Sequence, residues 1–253
     1  MFQLIEKSKW KKIRRILKSS KAFEKLQERD SSNLTCLSFA LGHGAPVEII
    51  QQIVSIDISL VTAKDVYGAS SLHVACLNGA PLEAVQFLVS HFKGLGTMLD
   101  CDQRAPLHHA VEYAVQSGDD QNTYMDVIRL LCHKAPSMVH MNDLQGDTPI
   151  DLVQLVKVNL IETSREYARL HRIYSLLRET SVSEYRKNKN RWELEGYINQ
   201  MALEDDTARS ITSDIGSYPS TTGTPSIISG RTTRTGDSLN SLIRQKKRTL
   251  SET

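Results

Sequence analysis

The chain has 253 residues, 40% of them hydrophobic and 24% charged, enough to bury a core over one or two domains. Its formal charge of +2 is too close to balance for the net field to name a partner, and only the distribution of charge can do so. No apolar run approaches the length of a membrane span. Cys36, Cys76, Cys101 and Cys132 form no C-x-x-C pair, and Met1–Lys12 turns basic before a signal-peptide core can form, so the four are read as reduced thiols of an intracellular chain. The sequon Asn33-Leu34-Thr35 is then idle.

Residues 1–29 open the chain with a basic segment. In "LIEKSKWKKIRRILKSSKAFEKLQ", Ile5, Trp10, Ile13, Ile16 and Leu17 recur at helical spacing, and nine Lys or Arg lie between Lys7 and Lys25. Two readings follow. The segment either caps a helical stack with its basic side in water, or it is an amphipathic helix that meets an acidic partner, an anionic membrane or a calmodulin-like protein, with Trp10, Leu17 and Phe23 as anchors.

From residue 30 the chain repeats itself. Asp30, Asp65, Asp100 and Asp143 begin units at steps of 35, 35 and 43 residues, giving 30–64, 65–99, 100–142 and 143–160 onward. Ala40, Ala75 and Ala110 follow ten residues after the first three acids. Glu48, Glu83 and Asp126 follow in turn, the third delayed by eight extra residues within "VQSGDDQNTYM". After each of these the apolar pairs Ile50/Ile53, Val85/Leu88 and Ile128/Leu131 mark one helix face. Each unit therefore reads as a turn and two helices. Asn33, Gly68 and Gly146 suit a left-handed turn position, while Thr35, Ser70, Ala105 and Thr148 precede the first helix. Pro106 and Pro149 stand in its first turn, and "GAPVE" and "GAPLE" separate the two helices.

"GASSLHVA", "QRAPLHHA" and "GDTPIDL" resemble the G-x-T-P-L-H-x-A signature of ankyrin repeats. The resemblance runs from about Asp30 to Leu155. The period is 35 where the family has 33, Cys36 and Ser38 replace Pro and His in the first unit, and Gln103 stands where Gly is expected. It implies an all-α solenoid of helix-turn-helix units with flanking helices, and a non-enzymatic module or scaffold that binds a partner protein through its concave face. By the same resemblance His73 and His108 are structural histidines that tie neighbouring repeats. Partner contacts fall on turn tips and the exposed ends of first helices: Ser32, Leu34 and His43; Tyr67, Ala69, Leu77 and Asn78; Asp102, Arg104, Glu112 and Tyr113; Gln145 and Asp147. Tyr67, Arg104 and Tyr113 are of the residue types that most often become hot spots. The mixed charge of this set suits a protein segment and not nucleic acid.

Residues 161–200 carry Leu170, Ile173, Tyr174 and Leu177 at helical spacing, which predicts capping helices packed by one face. The heptad fails at Thr180–Ser183, so a monomer is expected. From about Glu204, nineteen of the last fifty residues are Ser or Thr, and 201–253 is expected to be a disordered tail. Arg209 and Arg248 stand three residues before Thr212 and Ser251, a spacing that suits basophilic kinases. "IRQKKR" adds a weak nuclear-import pattern to a chain expected in the cytoplasm.

Catalytic patterns are thin. "GDSL" at Gly236–Leu239 lies in the polar tail with no strand to hold Ser238. "GHG" and "GLG" lack the third glycine and preceding strand of a dinucleotide loop. His108 and His109 are adjacent and therefore on different helix faces, with no completing metal ligands. No enzyme activity, metal or cofactor is expected.

Overall fold

Four times along the chain an aspartate folds the backbone back by the same bonds. In the computed structural model, which describes residues 1–117 and 123–210, Oδ1 of Asp30 accepts the N–H groups of Ser32 and Leu34, and Oδ1 of Asp65 those of Tyr67 and Ala69. Asp100 does the same for Asp102 and Arg104, and Asp143 for Gln145 and Asp147. Three residues after each acid the backbone is left-handed: Asn33 at φ +60°, Gly68 at +74°, Gln103 at +59° and Gly146 at +84°. Gln103 holds this conformation at a cost of about 1 kcal/mol. Two bonds to Asp100 Oδ1 and the backbone pair Asp100 N–H to Arg104 C=O, 3.1 Å, and Gln103 N–H to Asp100 C=O, 3.2 Å, hold it there.

The turns then stack. Val66 N–H donates to Ser32 C=O at 3.0 Å, Cys101 N–H to Tyr67 C=O at 2.9 Å, and Leu144 N–H to Asp102 C=O at 3.0 Å. Each turn so uses the backbone of its neighbours, while the side chains of Val66, Tyr67 and Leu144 stay exposed.

Helices α1 (Phe2–Glu6), α2 (Trp10–Leu17) and α3 (Ala22–Leu26) precede the first turn. After it come the pairs α4 (Cys36–Gly42) and α5 (Val47–Ile56), α6 (Ser71–Leu77) and α7 (Leu82–His91), and α8 (Pro106–Gln116) and α9 (Thr123–Lys134), followed by α10 (Pro149–Lys157) and α11 (Arg165–Ser210). Among the described residues there is no strand, only an antiparallel bridge between Arg29 and Thr35. Thr35 and Thr148 cap their helices by accepting the N–H of Ser38 at 2.9 Å and of Asp151 at 3.3 Å, and Pro106 and Pro149 open α8 and α10. The first helices pack in the order α4, α6, α8, α10, and the second helices α5, α7 and α9 in parallel order. Ala40, Ala75 and Ala110 are fully buried between first helices, where a larger side chain would force them apart. The eight extra residues of the third unit lengthen both of its helices, to 11 and 12 residues against 7 and 10 in the units before it.

One apolar core runs from Ile5 to Leu177. At its start the basic segment, expected as a capping helix or helix pair, is three helices, because Ser8 at φ +49° closes α1 and residues 18–21 separate α2 from α3. α1 packs on α4 and α2 on α5, with Ile5, Ile13 and Leu26 fully buried, so the segment stands where a preceding repeat would. At the other end Leu170, Ile173 and Leu177 of α11 are buried. The helical trace of α11 continues to Ser210, ten residues past the expected end of the capping segment. Thr212, Ser251, the "GDSL" stretch, the "IRQKKR" pattern and the rest of the expected tail lie outside the described residues. Among the described residues no helix is long and apolar enough to cross a membrane.

Candidate functional site

The turn ladder fixes what each unit can show. The first two residues after each aspartate lie at the tips, where Val66, Tyr67 and Leu144 are 57%, 56% and 64% exposed, and Cys101, Asp102 and Gln145 are exposed too. Ser32, in the first unit, is half-buried. Of the expected first-helix positions, Asn78 is exposed while His43, Leu77, Glu112 and Tyr113 are half-buried; Leu34, Ala69 and Asp147, four residues after their acids, are half-buried as well. Val66 and Leu144 escaped the sequence reading, which took the second residue after each acid and not the first. Their signal was available: an apolar residue directly after a turn aspartate has no packing partner within its own turn.

Two expected anchors are committed inside the stack. Arg104 is not an open hot spot: it is only 9% exposed, and its guanidinium donates from Nε and Nη2 to Asp143 Oδ2 at 3.2 and 3.1 Å and from Nη1 to Glu112 Oε2 at 3.1 Å. The third turn is thereby clamped to the fourth, and Glu112 is occupied as well. Tyr113 lies over the backbone of the preceding unit, so close that a Cβ on Gly79 would fall 2.2 Å from its ring. The ring also packs on Tyr124, centroids 4.4 Å apart. The hydroxyl of Tyr124 donates to Cys76 C=O.

The histidines tie repeats together. Ser70 N–H donates to Nδ1 of His73, which leaves the ring proton on Nε2 to be donated to Arg104 C=O at 3.0 Å. Ala105, His108 and Met141 repeat the arrangement one unit on, at 3.1 and 3.0 Å. Burial holds both imidazoles neutral by bringing their pKa values down to about 4. His109, adjacent to His108, points elsewhere and donates from Nε2 to Asp100 Oδ2 at 2.8 Å. Burial works against the Asp100 charge, but this bond and the Arg104 N–H outweigh it and keep its carboxyl below the ordinary value. Ser38, in the first unit, reaches no neighbouring repeat and bonds Thr35 Oγ1 at 3.0 Å.

The chemistry open to these groups is narrow. Burial pushes the Cys36 thiol up to about 11 and raises those of Cys76 and Cys132, so the three stay protonated and unreactive at neutral pH. Among the described residues no three His, Cys, Asp or Glu converge as a metal site. What the molecule presents is surface: the tips, and at the amino-terminal end the outer side of α2, where Lys11, Lys12, Arg14, Arg15 and Lys18 are exposed. Of the anchors considered there, Leu17 is buried in the core, Trp10 is half-buried and Phe23 is 55% exposed.

Residues 37–143 match the family model for ankyrin repeats, in three copies. No curated protein matches the chain. Ankyrin repeats are generally protein-interaction modules and are typically non-enzymatic.

Proposed function

With residues 37–143 an ankyrin-repeat stack, we propose that the chain is a non-enzymatic interaction module that holds a protein segment along its turn tips. The single observation that supports this is the run of exposed side chains, Val66, Tyr67, Asp102, Leu144 and Gln145, on a ladder whose backbone is already hydrogen-bonded from turn to turn. The ladder backbone is already bonded from turn to turn, so docking there has to order little beyond the tip side chains and the partner itself. The tips mix apolar, amide and acidic groups, the character of a surface for a protein segment; the phosphate backbone of a nucleic acid would ask for Lys and Arg.

Asn78 and the half-buried Leu77 extend the same surface onto the exposed end of α6, and we place the centre of the contact on the second and third units. Arg104, Glu112 and Tyr113 serve it indirectly, by setting how adjacent units sit. The test is affinity capture with the full chain, followed by titration of the captured protein against Tyr67→Ala and Leu144→Ser variants. Each is expected to weaken binding by about 1 kcal/mol or more with an unchanged melting midpoint. Normal binding by both variants contradicts the assignment.

A further inference from the structure

Eight of the chain's positive charges and none of its negative ones lie between Lys7 and Lys21, so the remainder of a chain of net charge +2 carries −6. The fold places this excess with some care. Ile13 and Leu17 of α2 are buried against the stack, and Lys11, Arg15 and Lys18, at i, i+4 and i+7, form its outermost ridge with Lys12 and Arg14 on either side. All five are exposed, and among the described residues none has an ion-pair partner.

A helix that only closes a stack has no use for five unpaired cations on one side. Like charges four apart, Lys11 with Arg15 and Arg14 with Lys18, oppose helix formation. Lys11 and Lys12 in the first turn of α2, which has no acid, oppose the helix dipole, while Arg14 and Arg15 in its last turn and Lys18 at its C-cap suit it. The next two outer helices do without such a ridge: each has one exposed acid, Glu48 on α5 and Glu83 on α7, among uncharged neighbours. An unpaired ridge of like charge on the first outer helix, absent from the two outer helices that follow it, is explained by something that neutralises it.

We infer that the outer face of α2 is a docking surface for anionic phospholipid membranes. The cations spread over one side of a single helix, around a wide, shallow depression of about 910 Å³ lined by Lys9, Trp10, Lys11, Lys12, Arg14 and Arg15, and a plane of negative charge is the ligand that meets all five cations together. Phe23, 55% exposed and flanked in sequence by Lys21 and Lys25, supplies the kind of aromatic group that settles at a lipid headgroup boundary. Calmodulin-type capture needs the apolar side of the helix, and that side is spent on the core, so it would require the cap to be pulled off. The surface is separate from the turn tips, so its failure leaves the partner-binding proposal intact and the reverse holds as well.

The test is sedimentation of the full chain with phosphatidylcholine vesicles, with and without about 30% phosphatidylserine. Binding is expected only to the vesicles that contain phosphatidylserine, and it should fade as salt is raised above about 0.1 M. A basic residue beside an anionic surface contributes about fivefold in partitioning, so the combined Lys11→Gln, Arg15→Gln and Lys18→Gln variant should bind about 100-fold more weakly. Its thermal midpoint should not fall, since all three side chains are in water. Phe23→Ser should cost severalfold. The inference is overturned if the vesicles are not bound, if the triple variant binds them normally, or if calcium-loaded calmodulin or duplex DNA at equal charge concentration strips the protein from them.

Discussion

The two junctions that flank the second repeat differ in how they are held. Toward the first repeat, α4 and α6 meet through fully buried Ala40 and Ala75, and the polar ties are a backbone bond at the turn edge, Val66 N–H to Ser32 C=O at 3.0 Å, and one buried bond from the Ser71 hydroxyl to Val61 C=O at 2.7 Å. Toward the third repeat the ties run through the interior, from His73 to the Arg104 carbonyl and from Tyr124 to the Cys76 carbonyl, with Tyr113 seated on Gly79. The later junction thus depends on groups that must stay neutral and on a glycine with no room to spare. The earlier one depends on apolar contact and on a serine hydroxyl, neither of which titrates near neutral pH.

The largest expected effect comes from extending the comparison to the third and fourth repeats, where Arg104 reaches Asp143 with both groups nearly buried. Arg104→Ala should destabilise the fold by about 3–5 kcal/mol, because removing one partner leaves a buried carboxylate uncompensated. Chemical denaturation would measure it, and a loss under about 1 kcal/mol would show that water replaces the guanidinium. Glycines give a smaller and sharper contrast. Gly44 and Gly79 share a left-handed φ, +65° and +69°, yet a Cβ on Gly44 meets nothing within 4 Å while one on Gly79 collides with Tyr113. Gly44→Ala should cost about 1 kcal/mol, the backbone term alone; Gly79→Ala should cost a further 1–3 kcal/mol, roughly, for displacing the ring. Equal melting shifts would remove Tyr113 from the account.

Acid should separate the junctions more gently. His73 and His108 have folded pKa values near 4, below the ordinary 6.5, so the unfolded chain binds more protons between those limits. Stability is then complete above about pH 6.5 and falls on acidification toward pH 4, by on the order of 1 kcal/mol per pH unit for each histidine. Hydrogen exchange followed from pH 7 to pH 4.5, after correction for intrinsic rates, should loosen α6, α8 and α10 before α4 and α5. Loosening that starts at α4 would contradict the histidine assignment.

Much of this architecture is legible in the sequence because it is written four times. The aspartate column and the buried alanines recur at a spacing that survives the third unit's insertion, and each does in the structure what its chemistry suggests; of the residues before the first helices, Thr35 and Thr148 cap by their side chains while Ser70 turns its hydroxyl to His73. Individual side chains were harder to read. Arg104 looks like a turn-tip residue until the fourth turn is stacked on the third, which brings Asp143 to it from 39 residues away. Tyr113 looks exposed because the backbone it covers, at Gly79, belongs to another unit. In the amino-terminal segment the apolar spacing was sound, but nothing in that spacing announces that Ser8 turns left-handed and breaks the stripe.

The central claim is that partners are held by side chains at the stacked turn tips. With a captured partner in hand, its affinity for the Tyr67→Ala, Leu144→Ser double variant, measured beside the wild-type chain by calorimetry, tests this most directly. The account predicts binding at least about tenfold weaker with the melting midpoint unchanged. Binding that survives in the double variant, but is abolished when Lys11, Lys12, Arg14 and Arg15 are neutralised, would place the working surface on α2 and contradict the claim.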